Sequence, residues 1–247
     1  MDLIALTIAP GIAICLFIFY TDFYNAEPKR NLIICFLLGA LAIFPALLFE
    51  KSFLYVIDGS MSGVAIFAYC IVAFSEETSK FLGMRLYAYN QKAFDEPLDG
   101  IVYAVMVGMG FATAENIKLV LIDPQHTEAT YQQVLNLAYM RMITAVPAHG
   151  TFAVIMGYFI GKAKMNPAKS FMLMLTGLLA AILFHGTYDF LLFIKQYSFA
   201  GQDMSDKMLF AGAIASFLVA LLLSRRLIIQ DRRISRQMFK NNNPPNA

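Results

Sequence analysis

The chain has 247 residues, of which 59% are hydrophobic and 15% charged, with a mean hydropathy of +0.61. That is too apolar for an ordinary soluble domain. The net charge of +2 and pI near 8.4 come from basic residues gathered in loops and the C-terminal tail. No extended basic face is left for nucleic acid, and no nucleic-acid partner is expected.

Apolar runs at 3–20, 31–49, 61–89, 98–122, 136–163, 168–194 and 208–229 each approach the roughly 20 residues that cross a bilayer. They predict an all-α, polytopic transmembrane bundle of about seven helices, with an eighth not excluded, in a multi-pass protein of the cell membrane. The first run lacks a basic leader and a small-residue cleavage pattern, so it is read as a span rather than a signal peptide. Between the runs lie polar and turn-forming stretches, including Asn25 to Asn31, Glu50 to Ser60, Asn90 to Pro97 and Lys195 to Lys207. Cys15, Cys35 and Cys70 stand alone in apolar runs and read as packing residues. Gly157 and Gly161 have the small-residue spacing of a helix crossing. The Asn/Pro tail at Asn241 to Asn246 is expected to be disordered. The chain divides into two N-terminal helices (1–60), a core (61–194), and a last helix with a basic tail (195–247).

Orientation follows from the basic residues, which in short loops favour the cytoplasm. Twelve lie on one side: Lys29, Arg30, Lys92, Lys162, Lys164, Lys169, Arg225, Arg226, Arg232, Arg233, Arg236 and Lys240. Only Lys51, Lys195 and Lys207 lie on the other. The expected topology has the N-terminus outside and the C-terminus in the cytoplasm. The polar stretch 127–133 is then an external loop or surface helix.

Four consecutive spans carry ionisable residues: Glu76, Glu77 and Lys80; Glu115 and Lys118; Arg141 and His149; His185 and Asp189. A charge near a helix centre costs about 2.5–3.5 kcal/mol on insertion scales, so these side chains are expected to converge on a polar interior. Lys118, Arg141 and Asp189 lie nearer span ends, where snorkelling to the interface is an equal reading. Glu76 and Glu77 lie four and three residues before Lys80, so the ammonium can neutralise either one. His185 and Asp189 are also four apart, which lets the aspartate orient the imidazole. Interhelical polar contacts alone would explain one such residue; three glutamates and two histidines together suit hydrolysis, with a carboxylate base and donors for an oxyanion.

The residues also resemble a known family. Glu76-Glu77-Thr78-Ser79-Lys80 resembles the EExxK motif of the PrsW proteases, and Phe111 to Asn116 their FxxxEN motif. Asp95-Glu96-Pro97-Leu98-Asp99-Gly100 resembles the family's DEPxDG stretch, whose physical role reads as a helix cap. His149-Gly150-Thr151 resembles the single-histidine motif, and His185 to Asp189 the HxxxD/N motif. These matches run in the family's order over about residues 70 to 190. The related CaaX prenyl proteases carry histidine where this chain has Glu115. There is no GxSG, HExxH or paired YD and GxGD motif of other intramembrane protease classes.

The resemblance implies an intramembrane endopeptidase acting on a membrane protein, with a single-pass anti-sigma factor as the expected substrate class. It implies Glu76 as the base that activates water and Glu77 beside it. His149 and His185 would bind the water or oxyanion, Asp189 would orient His185, and Glu115 would take the place of the histidine in the CaaX branch. Lys80, Asn116 and Arg141 would support them. The preferred reading requires no cofactor; the alternative is zinc, with His149, His185, Glu76 and Glu115 as candidate ligands. The rival functions are a transporter or solute-binding protein, for which intramembrane charges are equally expected, and an inactive membrane scaffold.

Overall fold

The computed structural model describes residues 3–198 and 204–242. Among them it contains no strand and seven helices long and apolar enough to cross a membrane. These are α1 (Leu3–Thr21), α2 (Lys29–Ser52), α3 (Met61–Asn90), α4 (Pro97–Gln125), α5 (Tyr131–Met165), α6 (Pro167–Tyr197) and α7 (Asp206–Asn241). The protein is a multi-pass membrane bundle, as its composition implies.

Two boundaries differ from the hydropathy reading. Helix α5 starts at Tyr131 rather than 136, because Thr130 and Gln133 close a reciprocal capping box that initiates a helix ahead of the apolar run. Helix α7 continues well past 229, with Asp231 and Ser235 buried on it, so the basic tail begins as helix. The segment Asn241 to Asn246 falls almost wholly outside the described residues. All three cysteines are free, Cys35 buried and Cys70 exposed, so Cys70 does not pack in the core as expected.

Helices α4 and α5 are the centre of the bundle, with 61% and 78% of their apolar windows buried against 22% for α1. They cross where glycine allows it. A Cβ on Gly157 would strike the carbonyl of Gly100, one on Gly161 the carbonyl of Pro97, and one on Gly100 the backbone of Gly157 and Gly161. Without a hydrophobic drive between helices in lipid, such backbone contact is what holds the pair.

Four departures from regular helix surround one region. Helix α2 breaks at Ala42, where Pro45 offers no N–H to the Leu41 carbonyl, and α5 breaks at Thr144, where Pro147 does the same to Ile143. In α3 a π-helical stretch, Phe67–Ala73, comes just before Glu76 and Glu77. In α4 another, Ile117–Ile122, comes just after Glu115 and Asn116. Widened turns of this kind re-aim the adjoining side chains and concentrate at functional sites.

The α4–α5 crossing predicts that Gly161→Val destabilises the protein by about 1–3 kcal/mol or more, because the new side chain must push the Pro97 backbone away. Thermal unfolding in detergent checks this, and an unchanged midpoint would show that the crossing does not depend on glycine.

Candidate active site

The regular turn that follows the π-helical stretch of α3 presents Glu76, Glu77 and Lys80 on one face, all buried. The Lys80 ammonium is 2.8 Å from Glu77 Oε1 and 3.1 Å from Glu76 Oε2. It also donates to His149 Nδ1 at 3.1 Å and lies 4.1 Å from the centroid of the Phe111 ring. A lysine has three protons and no acceptor, so every direction around this one is filled.

Because His149 Nδ1 accepts from an ammonium, its Nε2 carries the ring proton and donates to Glu115 Oε2 at 2.9 Å. Glu115 Oε2 also takes Arg141 Nη2 at 2.7 Å, and Arg141 Nε donates to Asn116 Oδ1 at 2.5 Å. Arg141 therefore faces inward and does not snorkel. Asp189 does the same, with Oδ2 3.1 Å from His185 Nε2. The other nitrogen of His185 is 2.8 Å from Glu77 Oε1. Carboxylates only accept, so either the ring holds both protons or one facing carboxyl group holds a proton. Phe152 stacks on this ring with centroids 5.1 Å apart.

Lys118 stands apart from this network, paired with Asp123 at 2.6 Å at the rim. Glu50 belongs near it, although the sequence places it at the start of a loop. It accepts from Ser75 Oγ at 3.2 Å and lines the same cavity as the catalytic candidates. A carboxylate at the end of an apolar run looks like a span terminus, and only the break at Ala42 turns it inward.

The cavity has a volume of about 550 Å³. Glu50, Glu76, Glu115, His149, His185 and Asp189 line it, while Leu47, Leu137 and Met140 give it apolar walls. Glu77 is not part of the lining and sits behind Glu76. The mouth lies at the end of the bundle where α2 and α4 finish and α7 begins, marked by Lys51, Lys118 and Phe210.

The donors also fit a metal ion of the zinc type. Glu76, Glu77, His149 and His185 each offer one atom, and the four lie within 4.8 Å of one another. Each imidazole has a carboxylate on its outer nitrogen, Glu115 behind His149 and Asp189 behind His185, the usual support of a metal-bound histidine. Glu77 Oε2 is buried with no hydrogen-bond partner. Glu50, Glu76, Glu77, Glu115 and Asp189 together outnumber Lys80, Arg141 and a fully protonated His185, which leaves room for positive charge. Glu77 offers the fourth atom of this set, and Glu115, a candidate ligand from the sequence, lies behind His149.

Residues 27–223 match the family described as PrsW family intramembrane metalloprotease. The chain is 34% identical over 195 residues to Protease PrsW of Geobacillus kaustophilus, covering 79% of this chain and 81% of that protein. It is 34% identical over 193 residues to Protease PrsW of Bacillus subtilis, covering 77% and 82%. With Protease PrsW of Clostridioides difficile the identity is 31% over 200 residues, covering 79% and 81%. No solved structure matches. The buried glutamate, lysine and histidine network lies within the matched region, and the chain belongs to the PrsW family of intramembrane proteases.

Proposed function

We propose that the protein hydrolyses a peptide bond in or beside the membrane segment of a membrane protein, with Glu76 as the base that takes a proton from water. The observation that carries this assignment is that Glu76 lines the cavity while its neighbour Glu77 is enclosed behind it. A base must reach the water it activates.

Glu77 then acts as a positioning residue, holding Lys80 and His185 in register at 2.8 Å each. His185, held between Glu77 and Asp189, lines the cavity and, when it carries both ring protons, places positive charge beside it, suited to offset negative charge as it develops on the scissile carbonyl. Arg141 and Glu115 fix the tautomer of His149. The apolar wall of Leu47, Leu137 and Met140 accepts the side chains of an unwound membrane segment. A divalent ion held by His149, His185 and Glu77 would supply Lewis-acid polarisation and a more acidic water, with Glu76 left free to take its proton. The substrate class that suits this account is a single-pass protein of the anti-sigma-factor kind, cut near the outer face. That reading rests on the family resemblance and on the cavity opening at the end of the bundle poor in basic residues.

The proposal is tested with purified protein in detergent and a single-pass substrate. Glu76→Gln keeps the shape of the side chain and removes its basicity, so cleavage falls by about 10²–10⁴-fold with little change in folding. Glu77→Gln is also damaging, while Lys118→Gln is mild. The wild type carries about one zinc-type ion per chain and loses activity to a chelator. Full cleavage by Glu76→Gln would remove the base assignment. An active, metal-free protein insensitive to chelation would remove the metal reading and leave charge compensation to Lys80, Arg141 and His185.

Topology is tested in intact cells. A C-terminal tag is protected from external protease, and a cleavage site inserted near Thr130 is accessible. The reverse pattern would invert the orientation and place the cavity on the cytoplasmic side.

A further inference from the structure

A second cluster of buried carboxylates lies at the opposite face of the bundle and takes no part in the chemistry above. Asp22 follows the end of α1, Glu96 immediately precedes α4, and Asp99 lies in the first turn of α4. Each offers an oxygen within 4.8 Å of the others, and all three are buried, at 1%, 3% and 0% exposure. None of them is in an ion pair with lysine or arginine among the described residues.

One oxygen of each carboxylate has a hydrogen-bond partner. Asp22 Oδ2 accepts from the backbone of Glu27 at 3.1 Å, and Asp99 Oδ2 from the backbone of Asp95 and Glu96 at 2.9 and 2.8 Å. Glu96 Oε1 takes Ser235 Oγ of α7 at 2.6 Å. The remaining oxygens, Asp22 Oδ1 and Asp99 Oδ1, are buried with no partner. Glu27, also buried, accepts from the Tyr103 hydroxyl. The cap expected of Asp95 to Asp99 is present, since Asp99 closes the start of α4, but a cap uses one oxygen and leaves the other without a role.

The independent observation comes from α7. Asp231 lies one turn before Ser235, is fully buried, and has no hydrogen-bond partner on either carboxylate oxygen. It is within electrostatic reach of Glu96 and of Lys162. Four buried carboxylates from three separate segments, with four orphaned oxygens, form an arrangement that native proteins avoid unless a ligand completes it.

We propose that Asp22, Glu96 and Asp99, with the unpartnered Asp231 carboxylate of α7 nearby, form a binding site for a hard divalent cation, calcium or magnesium, distinct from the active site. The donors are all oxygen, with neither histidine nor cysteine, which selects against zinc. The site joins the α1–α2 connection, the start of α4 and the C-terminal part of α7. Seventeen helical steps separate Glu115 from Leu98, so the two centres stand about 25 Å apart along α4 at 1.5 Å per residue. Binding here fixes the end of the helix whose other end carries Glu115.

The test uses the full chain in detergent after removal of metals. Calcium or magnesium raises the unfolding midpoint saturably. Terbium gives tyrosine-sensitised luminescence, with Tyr103 beside the site and no tryptophan in the chain, and added calcium displaces it. Asp22→Asn and Glu96→Gln each weaken terbium binding at least tenfold, whereas Glu76→Gln leaves it unchanged. Asp99→Asn is avoided because it removes the cap of α4. The proposal is overturned if no cation shifts the midpoint or gives saturable luminescence. It is equally overturned if binding survives both Asp22→Asn and Glu96→Gln or is lost in Glu76→Gln.

Discussion

A lysine ammonium with no route to water governs the rest of the structure. Lys80 is 4% exposed and would cost several kcal/mol if unpaired in this environment. Its two glutamates on α3, the acceptor nitrogen of His149 and the face of Phe111 compensate it together. Each of these partners acquires a constraint in turn. His149 must keep its proton on Nε2, which fixes Glu115 and then Arg141. Glu77 is shared with His185, which fixes Asp189. The active centre is thus one connected network rather than a set of independent contacts.

Such a network needs side chains from four helices to meet within a few ångströms, and regular straight helices would not bring them together. The π-helical stretches beside Glu76 and Glu115 and the proline-linked breaks at Ala42 and Thr144 aim these residues at one cavity. The glycine crossing of α4 and α5 brings Glu115 and His149 within hydrogen-bond distance. Departures from ideal helix are tolerated at this depth because the freed backbone groups line a polar cavity instead of lipid.

The seven spans were legible in the sequence because hydrophobic run length is a direct consequence of bilayer thickness. The convergence of Glu76, Glu77, Lys80, Glu115, His149 and His185 was legible for the same reason, since lipid leaves charged groups few places to go. Arg141 and Asp189 were ambiguous, because position near a span end describes snorkelling and site residues equally well. Glu50 was missed: its inward turn depends on a backbone break that no hydropathy pattern records. The same holds for Asp231, which sits in a basic stretch that reads as a solvated tail until the structure extends α7 and buries one of its faces. The division between a cavity-lining Glu76 and an enclosed Glu77 depends on packing, which adjacent identical residues cannot reveal.

The central claim is that Lys80 and its carboxylates are energetically a single unit, and a double-mutant cycle on stability tests it most directly. Lys80→Met, Glu77→Gln and the pair would be compared by equilibrium unfolding in detergent. The account predicts that Lys80→Met alone costs about 3–5 kcal/mol, because it leaves buried carboxylates uncompensated. The double variant should be more stable than the sum of the two single effects implies, by about 1 kcal/mol or more. Additivity to within about 0.5 kcal/mol, or a Lys80→Met protein as stable as the wild type, would contradict it.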